Sequence, residues 1–264
     1  MVLLLGLLLT GGVYAAFSPA SASTPSAANQ DLIAKGRQLF LVGCASCHGQ
    51  HGEGIVTSAT TEYGPPLIGV GAAAVDFQVG TGRMPLARPG MQAPEKKQLY
   101  TPDEIRALAA YVASLGPGPA IPAKAKYDTS DAGNHEVVRG GQLFLTNCTA
   151  CHNFAASGGA LPHGRYAPAL AGVTKKHIYE ALITGPQQMP VFSDNVLKPQ
   201  QKRDIIAYLK SIESEPSYGG SKLGYLGPVS EGLFGWLVGI GLCVGFAVWI
   251  ASHSVRSSKK GAKS

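Results

Sequence analysis

Two short stretches of this chain carry the residues best suited to chemistry. Residues 44–48 and 148–152 each place two cysteines three positions apart, with a histidine directly after the second cysteine. Cysteines at this spacing lie on the same side of a helical turn. Each thiol can form a thioether with one haem vinyl group, and the adjacent histidine can bind the iron. The sequence therefore predicts two covalently bound c-type haems, held by Cys44, Cys47, His48, Cys148, Cys151 and His152.

Two other cysteine chemistries fit these motifs less well. A zinc site made of two Cys-x-x-Cys pairs usually has about 15–20 residues between the pairs, whereas 100 residues separate Cys47 from Cys148. A thioredoxin-like redox site needs a βαβ context that the sequence does not indicate, and it leaves both histidines unexplained. Haem attachment is the favoured interpretation.

Methionines at matching positions supply the second axial ligands. Met84 and Met189 follow His48 and His152 by 36 and 37 residues, and each precedes a proline. We predict that these four residues are the iron ligands. Met91 has no counterpart and is expected to be an exposed loop residue. Methionine–histidine ligation raises the iron potential and leaves no open coordination position, which favours electron transfer over peroxide or oxygen binding.

Bis-histidine ligation is the alternative, and the remaining histidines suit it poorly. His51 is too close to His48 to reach the opposite haem face. His163 and His177 have no counterparts in the first copy and are expected to be surface residues. His135 lies in the linker and His253 lies past the membrane span, so both are weak candidates. A ligating histidine usually donates its other N–H to a carbonyl or carboxylate. The equivalent segments at Pro65 and Pro168 are the candidates for those carbonyls.

The motifs belong to a repeat, which indicates how they are positioned. Residues 35–41 recur as 139–145, and residues 63–67 recur as 166–170. We predict two homologous domains at 31–116 and 137–214, joined by a Pro/Gly/Lys-rich linker at 117–136. The first copy has about eight extra residues after Met84, in a loop that contains Pro89, Met91 and Pro94.

Helix signals agree between the copies, and strand signals are weak. Apolar and small residues share one helical face before the first motif: Ile33, Gly36, Leu39, Phe40 and Gly43. Residues 101–104 form a capping box that opens a second helix. In the second copy Pro199 opens a helix with an apolar stripe made of Ile205, Ile206, Leu209 and Ile212. We predict an all-α fold.

Composition and both ends of the chain indicate a membrane protein. Charged residues are 14% of the 264 residues and the net charge is +6, which excludes an ordinary cytosolic surface and a disordered chain. Residues 1–22 are predicted to be a signal peptide or an N-terminal anchor whose start lies upstream. Residues 232–251 carry no charge and can span a bilayer. The basic tail at 252–264 places the C-terminus in the cytoplasm and the haem domains outside it.

The pattern resembles class I cytochrome c in both copies. The resemblance rests on the two haem motifs, on the methionines, and on helix positions at Gly36/Phe40 with Leu108/Tyr111 and at Gly140/Phe144 with Ile205/Tyr208. It implies that the first and last helices of each domain cross at these residues. The order of parts, with residues 81–85 and 185–190, is similar to the dihaem cytochrome c subunit of the actinobacterial-type cytochrome bc complex.

That family resemblance implies a function. Quinol is oxidised at a cytochrome b subunit, and a Rieske iron–sulfur protein passes the electron to the dihaem subunit. The two haems then deliver it to the copper centre of an aa3-type oxidase. The chain is expected to be the electron-transfer subunit of a quinol–cytochrome c reductase, to have no catalytic site of its own, and to bind no nucleic acid. A dihaem subunit of a terminal oxidase or membrane dehydrogenase, and a dihaem peroxidase, are the alternatives.

The two domains differ in charge. Residues 31–116 have seven basic and seven acidic residues, whereas residues 137–214 have eight basic and four acidic residues. Complementary charge speeds and orients docking. We predict that the second domain meets an acidic surface on the oxidase, so that the first haem accepts the electron and the second delivers it. A solvated basic face without a partner is the alternative.

Overall fold

A computed structural model describes residues 4, 6–7, 10, 27–58, 61–88, 90–214 and 228–261. The chain divides into two compact units: the first contains residues up to Pro85 together with Lys96–Gly118, and the second contains Leu86–Glu95 and everything from Pro119 onward. The segment Leu86–Glu95 thus belongs with the second unit, although it lies inside the first copy of the repeat. The predicted signal or anchor at 1–22 lies almost wholly outside the described residues.

From Ala27 onward, the described residues of the first unit form four helices and a short hairpin. They are α1 (Ala27–Gly43), α2 (Ala45–His48), β1 (Ile55–Ser58), β2 (Thr61–Gly64), α3 (Gly71–Gly80) and α4 (Pro102–Ser114). Helix α4 packs against both α1 and α3. Its buried face includes Ile105, Leu108 and Val112, which form a core with Phe40 and Phe77.

The capping box at the start of α4 is confirmed. The Thr101 hydroxyl oxygen accepts the Glu104 N–H at 3.4 Å, and the Glu104 carboxylate accepts the Thr101 N–H at 2.8 Å. These bonds satisfy two N–H groups that a helix start leaves without an intrahelical partner. The bond from the Thr101 backbone is also the main reason that the pKa of Glu104 is lowered.

The second unit repeats this arrangement. Between Pro119 and Ser214 its elements are α5 (Lys124–Tyr127), α6 (Asn134–Asn147), α7 (Thr149–His152), β3 (Gly159–Leu161), a 3₁₀ turn (Pro162–Gly164), β4 (Arg165–Ala167), α8 (Lys175–Thr184) and α9 (Pro199–Ser214). Helix α9 packs against α6. The apolar cluster between the helices includes Phe144, Ile178, Leu182, Ile205 and Ile206.

In both units the first and last long helices cross at a glycine, as the resemblance implied. A Cβ built on Gly36 would lie 1.9 Å from the Ala107 carbonyl oxygen, and one on Gly140 would lie 1.9 Å from the Asp204 carbonyl oxygen. An aromatic pair flanks each crossing: the ring centroids of Phe40 and Tyr111 are 5.1 Å apart, and those of Phe144 and Tyr208 are 5.6 Å apart.

The described part of the chain is mostly helical, and its two short antiparallel hairpins depart from the all-α prediction. Strand β1 pairs with β2 and β3 pairs with β4. Each strand has only three or four residues, which is too few for an alternating pattern to be recognised in the sequence. Each hairpin lies between the haem-motif helix and the proline whose carbonyl was a candidate partner for the histidine.

A long apolar helical segment ends the described chain. It consists of α10 (Pro228–Phe234), a π-helical stretch (Gly235–Ile240) and α11 (Gly241–Gly261). Within it, Ser230–His253 has a mean hydropathy of 2.2 and none of its most apolar stretch is buried in the protein. Among the described residues this is the one helix with the length and composition to cross a membrane, and it contains the predicted span at 232–251.

Candidate haem sites

Each Cys-x-x-Cys-His motif forms one tight helical turn directly after a long helix. The Cys44 carbonyl accepts the N–H of Cys47 at 3.1 Å and that of His48 at 3.0 Å. In the second unit the Cys148 carbonyl accepts the corresponding bonds at 3.2 and 2.9 Å. Two thiols and an imidazole are thus presented by a single turn in both units, as covalent haem attachment requires.

Both motif histidines have one ring nitrogen fixed by a proline carbonyl. His48 Nδ1–H donates to the Pro65 oxygen at 2.7 Å, and His152 Nδ1–H donates to the Pro168 oxygen at 3.0 Å. A carbonyl can only accept, so the proton is on Nδ1 and the Nε2 lone pair is available to a metal. The predicted carbonyl partners are therefore confirmed in both units.

Glycines allow the proline loops to approach the motif turns. The Gly54 N–H donates to the His48 carbonyl at 2.7 Å, and the Gly158 N–H donates to the His152 carbonyl at 3.0 Å. Both glycines have φ of +81°. A Cβ would lie 2.8 Å from the Pro66 nitrogen at Gly54 and 2.4 Å from the Ala167 oxygen at Gly158. The loop therefore depends on glycine for its backbone conformation and for space.

The ionisation of the motif residues suits haem attachment better than redox chemistry of free thiols. Burial, and secondarily the neighbouring cysteine, raises the pKa of Cys44 to about 11 and that of Cys148 to about 11. Reactive redox cysteines have a lowered pKa, because the thiolate is the nucleophile. Burial lowers the pKa of His152, against the opposing effect of the bond to Pro168, and so favours the neutral ring that binds metals.

The two methionines lie on equivalent loops, each in the same unit as its paired histidine. Met84 follows α3, is half-buried, and its N–H donates to the Gln78 carbonyl at 2.9 Å. Met189 follows α8, packs against the apolar cluster of its unit, and its N–H donates to the Pro186 carbonyl at 3.0 Å. Met91 is 61% exposed, as expected of a loop residue.

The remaining histidines make other contacts. The His135 ring is 3.1 Å from an Arg139 nitrogen, the His177 ring is 3.9 Å from the Glu180 carboxylate, and the His253 ring bonds the Trp249 carbonyl at 3.0 Å. His51 and His163 are exposed.

The Met84 loop has supporting contacts that the sequence did not reveal. Lys96 donates to the carbonyls of Gly82 and, at 2.8 Å, Arg83. The Arg83 guanidinium is buried and lies 5.0 Å from the centroid of the Phe77 ring. Nothing in the Lys96–Lys97 pair distinguishes Lys96 from a solvated residue in the sequence. The Thr-Gly dipeptides at 81–82 and 184–185 are the sequence feature that indicates a shared structure for the loops that carry Met84 and Met189.

The two units match different cytochrome c families. Residues 33–116 match the family described as Cytochrome c, and residues 135–209 match the family described as Cytochrome C oxidase, cbb3-type, subunit III. Over nearly its whole length the chain is 44% identical to the cytochrome bc1 complex cytochrome c subunit of Corynebacterium efficiens, covering 96% of this chain and 88% of that protein. This chain belongs to the family of cytochrome bc1 complex cytochrome c subunits.

A second curated relative agrees with this assignment. The cytochrome bc1 complex cytochrome c subunit of Mycobacterium tuberculosis (strain ATCC 25618 / H37Rv) is 41% identical, over 96% of this chain and 90% of that protein. The Cbb3-type cytochrome c oxidase subunit FixP of Sinorhizobium medicae is 28% identical over 49% of this chain. As a cytochrome c subunit of a bc1 complex, the protein is an electron-transfer cytochrome with covalent haem c, and its two motifs fit two haems.

Proposed function

We propose that this subunit carries electrons from a Rieske iron–sulfur protein, through two haems outside the cytoplasm, to the copper centre of an aa3-type oxidase. The observation that carries the proposal is the duplicated motif turn, in which each histidine keeps Nε2 available because a proline carbonyl holds Nδ1. Two such sites in one chain provide two redox centres through which the electron can pass. The bc1 family supplies the quinol-oxidising context.

The proposed ligand sets follow from the two units. Cys44 and Cys47 attach the first haem, and His48 and Met84 bind its iron. The second set has the same order and consists of Cys148, Cys151, His152 and Met189. A bound haem supplies an iron that gains and loses one electron. The protein orients the imidazole through Nδ1 and keeps the methionine on a loop that is partly buried and hydrogen-bonded.

The C-terminal helix supports attachment to the lipid bilayer. At 1.5 Å per residue the 24 residues of Ser230–His253 extend about 36 Å, which exceeds a hydrocarbon core of about 30 Å. The basic residues beyond it, Arg256, Lys259, Lys260 and Lys263, favour a cytoplasmic C-terminus. The haem units are then on the side where a Rieske protein and the copper-bearing oxidase subunit operate.

The direction of transfer is proposed from the charges of the second unit. Residues 137–214 have eight basic and four acidic residues, so this range keeps an excess of basic charge. Its ion pairs include Asp194 with Lys202 at 2.6 Å, Asp204 with Arg139 at 2.6 Å, and Glu213 with Lys210 at 2.5 Å.

Two basic residues of this range, Lys175 and Lys176, begin α8. Cations there oppose the helix dipole and weaken the helix, so a role in docking explains them better than a role in stability. We propose that this end of α8 meets the acidic surface of the oxidase, with the first haem accepting and the second delivering.

Co-purification tests the assignment to the complex. A tagged subunit, extracted with a mild detergent, should retain a cytochrome b and a Rieske protein together with an aa3-type oxidase. Retention of an oxidase or a dehydrogenase without cytochrome b and the Rieske protein would favour the alternative, a dihaem subunit of a terminal oxidase or membrane dehydrogenase. Reaction of either haem with peroxide would favour the peroxidase alternative.

Charge reversal tests the direction. Lys175→Glu should slow electron delivery to the oxidase and leave the rate of reduction by the Rieske centre unchanged. The decrease in the delivery rate should become smaller as the salt concentration is raised. Lys198→Glu is the matched control, because it makes the same charge change at an exposed residue outside α8. Slower reduction by the Rieske centre alone would reverse the assignment. Equal effects of the two variants would show that net charge, and not this end of α8, controls docking.

A further inference from the structure

The segment Leu86–Glu95 contains the extra residues that have no counterpart in the second copy, and it belongs to the second unit. It begins directly after Pro85 and ends directly before Lys96, whose amine bonds the Gly82 and Arg83 carbonyls. Such an insertion in a surface loop needs no function in order to be tolerated. Its contacts, however, are specific and fall on two loops of the second haem site.

The first contact joins Gln92 to strand β4. The Gln92 side chain donates to the Tyr166 carbonyl at 2.6 Å and accepts the Tyr166 N–H at 3.0 Å. Tyr166 lies opposite Ala160 in the β3–β4 hairpin. Because the hairpin has two strands, the outward N–H and carbonyl of β4 have no further strand to bond. The side-chain amide of Gln92 bonds both of these groups, as the backbone of an added strand would.

The second contact runs in the opposite sense and joins Gln187 to the segment. The Gln187 side chain donates to the Ala93 carbonyl at 3.1 Å and accepts the Ala93 N–H at 3.4 Å. Gln187 has φ of +58°, a left-handed conformation that is uncommon for residues other than glycine. Such a conformation persists where surrounding contacts hold it, and the pair of bonds to Ala93 is such a contact.

Each contact lies two positions along the chain from a residue of the predicted second haem site. Tyr166 precedes Pro168, whose carbonyl accepts the His152 Nδ1–H. Gln187 precedes Met189, whose N–H donates to Pro186 in the same turn. The segment therefore fixes the loop that orients the histidine and the loop that carries the methionine.

We infer that Leu86–Glu95 is a clamp on the second haem site, and that Gln92 and Gln187 are positioning residues that hold Met189 in place to bind iron. The inference depends on the proposed ligand set, with His152 and Met189 at the second haem. Without the clamp, the Met189 loop has more conformations in which the methionine is away from the iron. Competing ligands then enter more easily.

Imidazole, which competes with methionine for ferric haem, measures this effect in the full-length protein within its complex. Gln187→Ala and Gln92→Ala should each raise the apparent imidazole affinity of the second haem. Each variant removes two hydrogen bonds, so the apparent imidazole affinity of the second haem should rise about 5- to 30-fold. The first haem should be unchanged. Gln188→Ala is the matched control, since Gln188 is an exposed glutamine beside Met189 and should leave both titrations as they are.

A separate variant distinguishes failure of the clamp from failure of the ligand assignment. Met189→Ala should abolish the methionine–iron absorption band of one haem and identifies the imidazole phase that belongs to it. If Met189→Ala leaves both bands intact, the ligand assignment is wrong. If it removes one band while Gln92→Ala and Gln187→Ala titrate like Gln188→Ala, the clamp is refuted. Equal changes at both haems would also refute it, because they would reflect general loosening.

Discussion

Replacing Gly140 by alanine should force apart the two helices that build the second unit. The new Cβ would lie 1.9 Å from the Asp204 carbonyl oxygen and 2.4 Å from its carbon. Both atoms belong to the main chain of α9, so no side-chain rotation relieves the contact. The helices must separate by about 1 Å to reach a tolerable distance of about 3 Å.

The expected cost follows from two opposing effects. Overpacking against an immovable neighbour costs about 3 kcal/mol, at the upper end of the usual range. Alanine gains about 1 kcal/mol over glycine in helix propensity. The net loss is about 2 kcal/mol, which lowers the Tm of a domain of this size by about 8–16 °C.

Gly141→Ala is the matched control for this experiment. Gly141 is buried in the same helix, but its Cβ would lie 3.1 Å from the Tyr208 ring, a side chain that can tilt. The gain in propensity should offset most of that contact, so the variant should melt close to the wild-type protein. Thermal unfolding of the haem-loaded chain, followed by far-UV circular dichroism, measures both. If Gly140→Ala and Gly141→Ala melt together, the crossing is not as tight as described and the reasoning fails.

Three further outcomes are expected. Replacing Cys148 and Cys151 by alanine should halve the covalent haem and unfold the second unit, because domains of this size bury only about 60–65% of their unfolded surface and need the haem to fill the core; a folded second unit without haem, seen by proteolysis, would contradict this. Met84→His should lower the potential of one haem and spare the other, whereas Met91→His should change neither potential in a redox titration. Thr101→Ala should destabilise the first unit by about 1 kcal/mol through loss of the α4 cap, measured by denaturant unfolding, and an unchanged midpoint would count against the cap.

The sequence predicted the features that depend on local pattern or on repetition. The capping box at Thr101 was readable from its own four residues. The proline carbonyls behind both histidines and the mostly helical fold were readable because each copy supported the other. The short hairpins were not, since strands of three or four residues carry little pattern. Nor was the placement of Leu86–Glu95 with the second unit, which depends on two glutamine amides that look like ordinary surface residues in the sequence.

Lys202 shows a different reason why a sequence can mislead. A lysine in the first turns of a helix is normally solvated, yet this one is fully buried, 2.6 Å from Asp194 and 5.8 Å from the centroid of the Tyr179 ring. Its partner comes from a loop eight residues earlier. Burial of a charge with its partners is a tertiary property that no helical periodicity shows.

The bonds from His48 to Pro65 and from His152 to Pro168 also bear on how fast an electron can move. Each ring is tethered at Cβ to a helical turn and at Nδ1 to a carbonyl, so it has two fixed points and little freedom to tilt. With the proposed ligation, the imidazole would keep nearly the same position in the ferrous and the ferric protein. Little rearrangement of the ligand would then be needed when charge arrives or leaves, which would keep its contribution to the reorganisation energy small. The same proline loop occurs in both units, so both haems would share this property.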